Sequence, residues 1–155
     1  MSIQIRKAKN SDSKDIFFWR NDEFSLRMFK KSEIILWIDH CNWYKEKLKS
    51  EKNLFLIGEE SNSKLGVVRF DIYDDYSEIS INLNPVFRGK NLSKRFLAMG
   101  CNYYFNKFDK DIISEIKKIN NISIKIFKSV GFKKIGSSQD LVNYKLKKKE
   151  FSFKV

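Results

Sequence analysis

One loop between a predicted strand and a predicted helix most constrains the fold of this 155-residue chain. Residues 78–83 alternate polar and apolar side chains, which is the pattern of a half-buried strand. Residues 92–108 carry apolar side chains at helical spacing. Amides at the start of a helix lack intrahelical partners and lie at the positive end of its dipole. The loop, residues 85–93, therefore suits a phosphate or pyrophosphate group, with an ordinary strand-to-helix turn as the alternative.

A second stretch, residues 120–132, begins with a helix-capping Asn and ends at Gly131 before another strand. Together the two stretches resemble the GNAT acetyltransferase superfamily, which transfers acetyl from acetyl-CoA to amines. The first signature of that superfamily, Arg/Gln-x-x-Gly-x-Gly/Ala, is matched by residues 88–93. The second signature is matched by Asn120, Ser123, Ile124, Ile126, Gly131 and Phe132.

The resemblance implies an α/β (α+β) fold: one domain over residues 1–155, with a mixed, mostly antiparallel twisted sheet flanked by helices. We expect the tail beyond about residue 150 to be loose. Periodicity along the chain gives the order β-α-α-β-β-β-α-β-α-β-β, which is the order of the superfamily. The predicted strands are 3–7, 53–59, 65–73, 78–83, 111–117, 133–136 and 142–149, and the predicted helices are 16–20, 34–48, 92–108 and the one ending at Gly131.

The resemblance also implies acetyl-CoA as co-substrate, with its pyrophosphate on the loop amides. Two signature glycines are replaced by Asn91, which tolerates positive φ, and by the small Ser93. In the superfamily the fourth strand splays from the fifth and exposes amides that stabilise charge on the acyl oxygen. The predicted cofactor-binding residues are Ile81, Asn82, Leu83, Arg88, Gly89, Lys90, Asn91, Leu92, Ser93, Lys94, Asn120 and Phe127.

Two positions bear on the chemistry of acetyl transfer. Many relatives have a Tyr that protonates the departing CoA thiolate, but this chain has Phe127, which has no proton to donate. Glu115 on the fifth predicted strand is the predicted catalytic base, because a carboxylate near the acyl carbon can take the proton of the attacking amine. The alternative is a surface Glu115 that pairs with Lys117 or Lys118.

Four residues are predicted to bind the acceptor: Arg20, Asn21, His40 and Arg69. In this combination the chain resembles the GNAT branch that acts on nucleotide-linked amino sugars, of the pseudaminic-acid-pathway type. An Arg can bind a diphosphate through two hydrogen bonds, although Arg20 is equally suited to cap the first helix. A single histidine such as His40, on the flank of its helix, is alternatively a packing or hydrogen-bonding residue.

The net charge of +12 favours anionic partners, but the basic residues are scattered, so we expect no specific nucleic-acid binding. No apolar run approaches the ~18 residues of a membrane span, and a signal-peptide pattern is lacking, so we expect no membrane contact and a cytoplasmic location. The two cysteines, Cys41 and Cys101, have no zinc-site spacing, and we predict no metal.

The predicted function is transfer of acetyl from acetyl-CoA to a primary amine, that of a UDP-type amino sugar used for surface glycans. The alternatives are acetylation of a protein N-terminus or a small amine, and a non-catalytic module that binds CoA or nucleic acid. The oligomeric state stays open, with a homodimer as one option.

Overall fold

A computed structural model describes residues 2–154 and folds this part of the chain into seven strands and five α-helices. The ends of the predicted domain, Met1 and Val155, lie outside the described residues. The strands are β1 (Gln4–Lys7), β2 (Asn53–Glu60), β3 (Ser63–Ile72), β4 (Tyr76–Leu83), β5 (Asp111–Lys117), β6 (Lys133–Ser137) and β7 (Leu141–Leu146). The helices are α1 (Ser13–Arg20), α2 (Glu23–Met28), α3 (Trp37–Lys49), α4 (Ser93–Phe105) and α5 (Asn121–Val130).

All seven strands form one sheet in the order β1-β2-β3-β4-β5-β7-β6. Every neighbouring pair is antiparallel except β4 and β5, which run parallel. This arrangement confirms the predicted single α/β domain with a mixed, mostly antiparallel sheet. Within residues 2–154 no helix has the length and apolar character that a membrane crossing requires.

The two faces of the sheet bury separate cores, because successive side chains of a strand point to opposite faces. On β3, Val68 and Phe70 pack with α4 and α5 in the larger core. Val67 packs with the smaller core, which α1 and α3 cover. On the central strands the alternation assigns Ile79 to the larger core and turns Ser80 toward the side of α1 to α3. The sheet therefore separates the α4–α5 face from the α1–α3 face.

Helix α2 is an element that the sequence pattern did not predict. It follows α1 after only Asn21 and Asp22, and the Asp22 carboxylate caps it by accepting a hydrogen bond from the amide of Ser25 at 3.2 Å. A helix of six residues is too short to be stable by itself, so contacts outside the helix hold it in place. The chain thus has three helices before β2 rather than two.

The predicted helix over 34–48 begins three residues later than expected, at Trp37. The side chain of Asn21 binds the backbone of Ile35 through two hydrogen bonds, of 2.8 and 2.9 Å, which keeps this segment out of the helix. The buried face also differs from the one that the sequence pattern indicates, in which Ile38 and Tyr44 are buried and His40 lies on the flank: Tyr44 is buried as expected, but Ile38 is 62% exposed and His40 is buried. The prediction for this face was therefore wrong by about one residue in rotation.

The segment after β7 is anchored to the larger core. Strand β7 ends at Leu146, before the predicted limit of 149, and a short 3₁₀ turn follows. The ring of Phe151 then lies 5.3 Å from the ring of Phe105. The chain is consequently held against α4 as far as Phe151, which is where the loose tail was expected to begin.

A buried carboxylate joins β1, α1 and β3. The Asp12 side chain has no solvent exposure and accepts two hydrogen bonds from Arg6, at 2.8 and 2.9 Å, while Lys64 lies 2.9 Å away. Burial alone would raise the pKa of the Asp12 carboxyl, but the hydrogen bonds from Arg6 and Lys64 hold it well below its usual range. The ionised carboxylate therefore stabilises the fold.

We predict that Asp12→Asn lowers the free energy of unfolding by about 3 kcal/mol at pH 7, because it removes one partner from a buried ion pair. A carboxyl with a lowered folded pKa stabilises the fold above its unfolded pKa of about 4 and loses this contribution as the pH falls through the folded value. The difference between wild type and variant should therefore persist at neutral pH and shrink below about pH 4. Urea unfolding of both proteins, from neutral pH to below about pH 4, measures this difference in the free energy of unfolding.

The matched control is Asp15→Asn, because Asp15 also pairs with Lys64, at 2.7 Å, but its side chain is 45% exposed. This variant should change stability by less than about 1 kcal/mol. Equal losses in the two variants would contradict the role assigned to the buried carboxylate.

Candidate active site

The site is built on a gap between the two parallel strands. Strands β4 and β5 pair only from Tyr76 to Glu78, opposite Asp111 to Ile113. Beyond this point β4 continues to follow β3 as far as Leu83, while β5 continues to follow β7. One backbone edge of β4, residues 79–83, therefore faces the gap without a strand partner. The splay implied by the family resemblance is confirmed.

A glycine permits the close β3–β4 pairing at the open end. A Cβ atom added to Gly66 would lie only 2.4 Å from the carbonyl oxygen of Asn82 and 2.9 Å from the Cα atom of Leu83. Any side chain at this position would push β4 toward the gap. Gly66 thus keeps β4 on β3 while β5 diverges, and the gap stays open.

The gap continues into a cleft of about 280 Å³. Helix α2 lines one side, the loop before α4 and helix α5 line another, and β4 and β5 form its floor. Of the twelve predicted cofactor-binding residues, eight lie in its wall: Ile81, Asn82, Leu83, Arg88, Gly89, Ser93, Asn120 and Phe127. The other four, Lys90, Asn91, Leu92 and Lys94, continue the same loop and the first turn of α4.

The loop before α4 has the backbone conformation of an anion-binding turn. Gly89 has φ 75° and Asn91 has φ 59°, so Asn91 adopts the left-handed conformation that its side chain tolerates. Helix α4 starts directly afterwards at Ser93, and its first turn contains no acidic residue. Its free amides and helix dipole therefore meet no competing carboxylate in that turn.

Helix α5 lines the cleft beside this loop. Asn120 caps it by accepting a hydrogen bond from the amide of Ser123 at 3.2 Å. Phe127 is 2% exposed and packs edge-to-face with Phe132, with ring centroids 4.9 Å apart. Phe127 thus contributes an apolar surface to the cleft and no proton donor.

Glu115 lies on β5 just past the divergence, in the cleft wall. Its carboxylate is 3.4 Å from the ammonium of Lys30, which also binds Glu78 at 2.7 Å. The expected alternative partner, Lys117, instead donates to the carbonyl of Arg27. Burial opposes the charged form of Lys30, but the two glutamates outweigh this effect and raise the pKa of Lys30. Glu115 is therefore a paired but reachable carboxylate at the point where the strands separate.

Two of the predicted acceptor-binding residues lie together on the same side of the sheet as Glu115. The guanidinium carbons of Arg20 and Arg69 are 5.5 and 5.4 Å from the ring centroid of Trp43. Arg69 donates to Asp71 at 3.1 Å, and its Nε is buried without a partner. Burial and the nearby charge of Arg69 lower the pKa of Arg20. Within residues 2–154, Arg20 forms cation–π contacts but no hydrogen bond or ion pair.

The other two predicted acceptor-binding residues are not brought to the cleft. Asn21 is occupied with the backbone of Ile35. His40 is 1% exposed, its Nε2 lies 2.9 Å from the carbonyl oxygen of Ser13, and its ring stacks on Tyr44. Burial lowers the pKa of His40. Both side chains therefore have structural contacts that direct them away from the cleft.

The sequence prediction missed the wall that α2 supplies. Phe24, Ser25, Met28 and Phe29 all line the cleft, and Lys30 follows directly. The available signal was the capping residue Asp22 followed by apolar residues four apart, at positions 24 and 28. Within residues 2–154 no group of three or more His, Cys, Asp or Glu side chains is arranged to hold a metal ion.

A family model described as an acetyltransferase (GNAT) domain matches residues 2–133. The chain therefore belongs to the GNAT acetyltransferase domain family. The family model gives the class of the domain, an acetyltransferase, and in the structure the open edge of β4 and the loop before α4 both border the cleft.

Individual proteins are similar to the chain in sequence or in fold. The uncharacterized protein MJ1062 of Methanocaldococcus jannaschii is 26% identical over 136 residues, which cover 85% of this chain and 28% of that protein. The chain thus spans little more than a quarter of that relative. A crystallised domain from the same organism superposes with a TM-score of 0.80 at 24% identity, covering 94% of this chain and 97% of that one.

A second solved structure, the spermidine N-acetyltransferase of Vibrio cholerae in complex with CoA and spermine, gives a TM-score of 0.86 at 14% identity. The match covers 96% of both chains. At these identities the two structural matches show a shared fold.

We predict that Asn91→Val weakens CoA binding about tenfold, because a β-branched residue at positive φ costs roughly 1–2 kcal/mol and displaces the loop amides. Calorimetric titration with CoA measures the dissociation constant. Asn91→Gly is the matched control, since Gly adopts the same φ without strain, and its affinity should stay close to that of the wild type. Equal affinities for the Val and Gly variants would contradict a role for this turn in binding.

Proposed function

We propose that the domain acetylates the primary amine of a nucleotide-linked amino sugar, with acetyl-CoA as donor. The observation that carries this proposal is the pair of guanidinium groups at Trp43, of which Arg20 has no ion-pair partner in the described residues. A half-buried cation without a counter-ion is unfavourable, and a second arginine beside it makes it more so. A diphosphate supplies the negative charge that Arg20 lacks, and its oxygens are acceptors for Arg20 and for the buried Nε of Arg69, whose Nη2 already pairs with Asp71.

The position of this pair suits an acceptor that reaches into the cleft. Arg20 also lies over the ring of Phe29, at 5.6 Å from its centroid, and Phe29 lines the cleft. Arg69 is opposite Ser80 in the β3–β4 register, so the two side chains share a face of the sheet, and Ser80 lines the cleft as well. A phosphate at the arginines would therefore leave the sugar directed toward Glu115.

The residues of the cleft suggest a division of roles. Glu115 accepts the proton of the attacking amine, directly or through water. Lys30 holds the carboxylate in place, and its positive charge disfavours a protonated amine nearby. The open edge of β4 offers amides to the acyl oxygen as negative charge develops there. Phe127 shields the thioester from water, and the thiolate leaves without a proton from this position.

A polyamine acceptor is the main competing possibility, since one of the similar structures is a spermidine N-acetyltransferase. A polycation needs unpaired carboxylates, but Glu78 and Glu115 are both paired with Lys30, and the two arginines lie on the same face. Electrostatics therefore favours an anionic acceptor.

We predict that Arg20→Gln raises KM for a UDP-linked amino sugar about 10- to 100-fold, the loss expected for a hydrogen bond to a charged group. The KM for acetyl-CoA should change less than about twofold, because the arginine lies away from the loop before α4. Steady-state kinetics with each substrate varied in turn measures both constants.

Lys45→Gln is the control for charge, because it removes one positive charge from the exposed surface of α3 and should leave both constants unchanged. Spermidine and a basic peptide serve as alternative acceptors in the same assay. Rapid acetylation of either, with every UDP-linked amino sugar inert, would overturn the proposed acceptor.

We predict that Glu115→Gln lowers kcat/KM by about 10²–10⁴, the range for loss of a general base. The deficit should shrink as the pH rises, since free amine then becomes abundant without the enzyme's help. The pH–rate profile of the variant from pH 6 to about 10 tests this behaviour.

Glu78→Gln is the matched control, because Glu78 pairs with the same Lys30 but lies where β4 and β5 are still joined. The kcat/KM of this variant should fall less than about tenfold, because the only effect is that Lys30 loses one of its two partners. Wild-type activity of Glu115→Gln at neutral pH would remove Glu115 from the mechanism.

A further inference from the structure

Arg88 begins the loop before α4, yet its side chain binds the opposite wall of the cleft. Its Nη2 lies 2.6 Å from the Asp22 carboxylate and donates to the hydroxyl of Ser25 at 2.9 Å. Its guanidinium also lies over the ring of Phe24, 4.9 Å from the centroid. All three of these contacts are to the first turn of α2 or its cap. The family resemblance assigned Arg88 to the cofactor, whereas its contacts are on the acceptor side.

The first turn of α2 depends on these contacts. One carboxylate oxygen of Asp22, Oδ2, pairs with Arg88 and also accepts the hydrogen bond from the amide of Ser25 that caps the helix. Burial would raise the pKa of Asp22, but the hydrogen bond from Arg88 lowers it, so the cap stays ionised. Six residues form less than two helical turns and are not stable alone. Removing the contacts of Arg88 with Asp22 and Ser25 should therefore destabilise α2.

A second connection joins α2 to the open edge of β4. The hydroxyl of Ser25, which is 5% exposed, donates to the side-chain oxygen of Asn82 at 3.1 Å. Arg88, Ser25 and Asn82 thus form a continuous chain of hydrogen bonds from the loop, through α2, to the strand that borders the gap. These hydrogen bonds connect the loop to the wall that carries Phe24, Met28 and Phe29.

We propose that Arg88 is a positioning residue that couples the loop before α4 to helix α2, so that acetyl-CoA binding orders the acceptor wall. The proposal rests on the assigned cofactor loop and deepens the proposed function. Anion binding at the amides of residues 89–94 fixes the loop, and Arg88 then holds Asp22 and Ser25 in place. Donor binding therefore stabilises the contacts that the structure shows between the loop and the acceptor side of the cleft.

Hydrogen exchange read by mass spectrometry, with and without CoA, tests the coupling. In the wild type, CoA should slow exchange both at the start of α4 and in residues 23–28, the latter by about fivefold or more. In Arg88→Gln and in Asp22→Asn, CoA should still slow exchange at α4 but no longer in α2. Arg88→Lys keeps the charge and should restore part of the effect. Arg27→Gln, an exposed change on α2, should leave it intact.

Calorimetry with CoA separates this role from direct cofactor binding. If Arg88 positions α2, Arg88→Gln and Asp22→Asn weaken CoA binding to the same small extent, less than about threefold, and the double variant is no worse. If Arg88 instead binds the pyrophosphate, only Arg88→Gln weakens binding, and Asp22→Asn frees the arginine and strengthens it. That second pattern, or CoA-dependent protection of α2 that survives both substitutions, would overturn the proposal.

These measurements do not depend on the identity of the acceptor. Loss of the coupling in the variants, found together with inert UDP-linked amino sugars, would reject the proposed acceptor and leave the role of Arg88 standing. If UDP-linked amino sugars are acetylated but CoA does not slow exchange in α2 of the wild type, the role of Arg88 is rejected and the proposed acceptor stands.

Discussion

The separation of β4 from β5 is the constraint on which the rest of the molecule depends. A backbone edge that loses its strand partner inside a protein needs other hydrogen-bond partners, because unpaired buried backbone groups are costly. In this fold the edge of β4 opens into a cleft instead of being covered, so a ligand can complete the pairing. Gly66 keeps β4 on β3, and β7 draws β5 away, so the opening is built into the register of the sheet.

The two faces of the sheet present different chemical groups to this opening. On the α4–α5 face the cleft meets free amides at a helix start and the apolar surface of Phe127, which suit a phosphate-bearing thioester. On the α1–α3 face it meets charged side chains: Glu115 with Lys30, and the arginines around Trp43. In the function proposed above, the donor and the acceptor approach from opposite faces of the sheet and meet at the gap. Because the two parts of the cleft lie on different faces of the sheet, the residues of one part can differ without changing those of the other.

The features that could be predicted from the sequence are those fixed by local pattern. Strand alternation, the turn with Asn91 at positive φ and the Gly131 stop depend on neighbouring residues, and they gave the fold and the cofactor loop. Helix α2 and the rotation of α3 depend instead on contacts between residues far apart, namely Asp22 with Arg88 and Asn21 with Ile35. A capping Asp22 and two apolar residues four apart are a weak signal over six residues, and so the wall that α2 supplies was missed.

Two of the predicted acceptor-binding residues, His40 and Arg20, differ in their burial and in their contacts. The sequence indicates that His40 lies on the flank of its helix, but its ring is buried against Tyr44, with Nε2 beside the carbonyl oxygen of Ser13. Arg20 ends α1, and its long side chain reaches the rings of Trp43 and Phe29. A long side chain can bury its stem against aromatic rings while its charged head stays accessible, whereas the imidazole of His40 is enclosed completely. The proposed role of Arg20 in acceptor binding therefore depends on its reach, and burial removes His40 from that role.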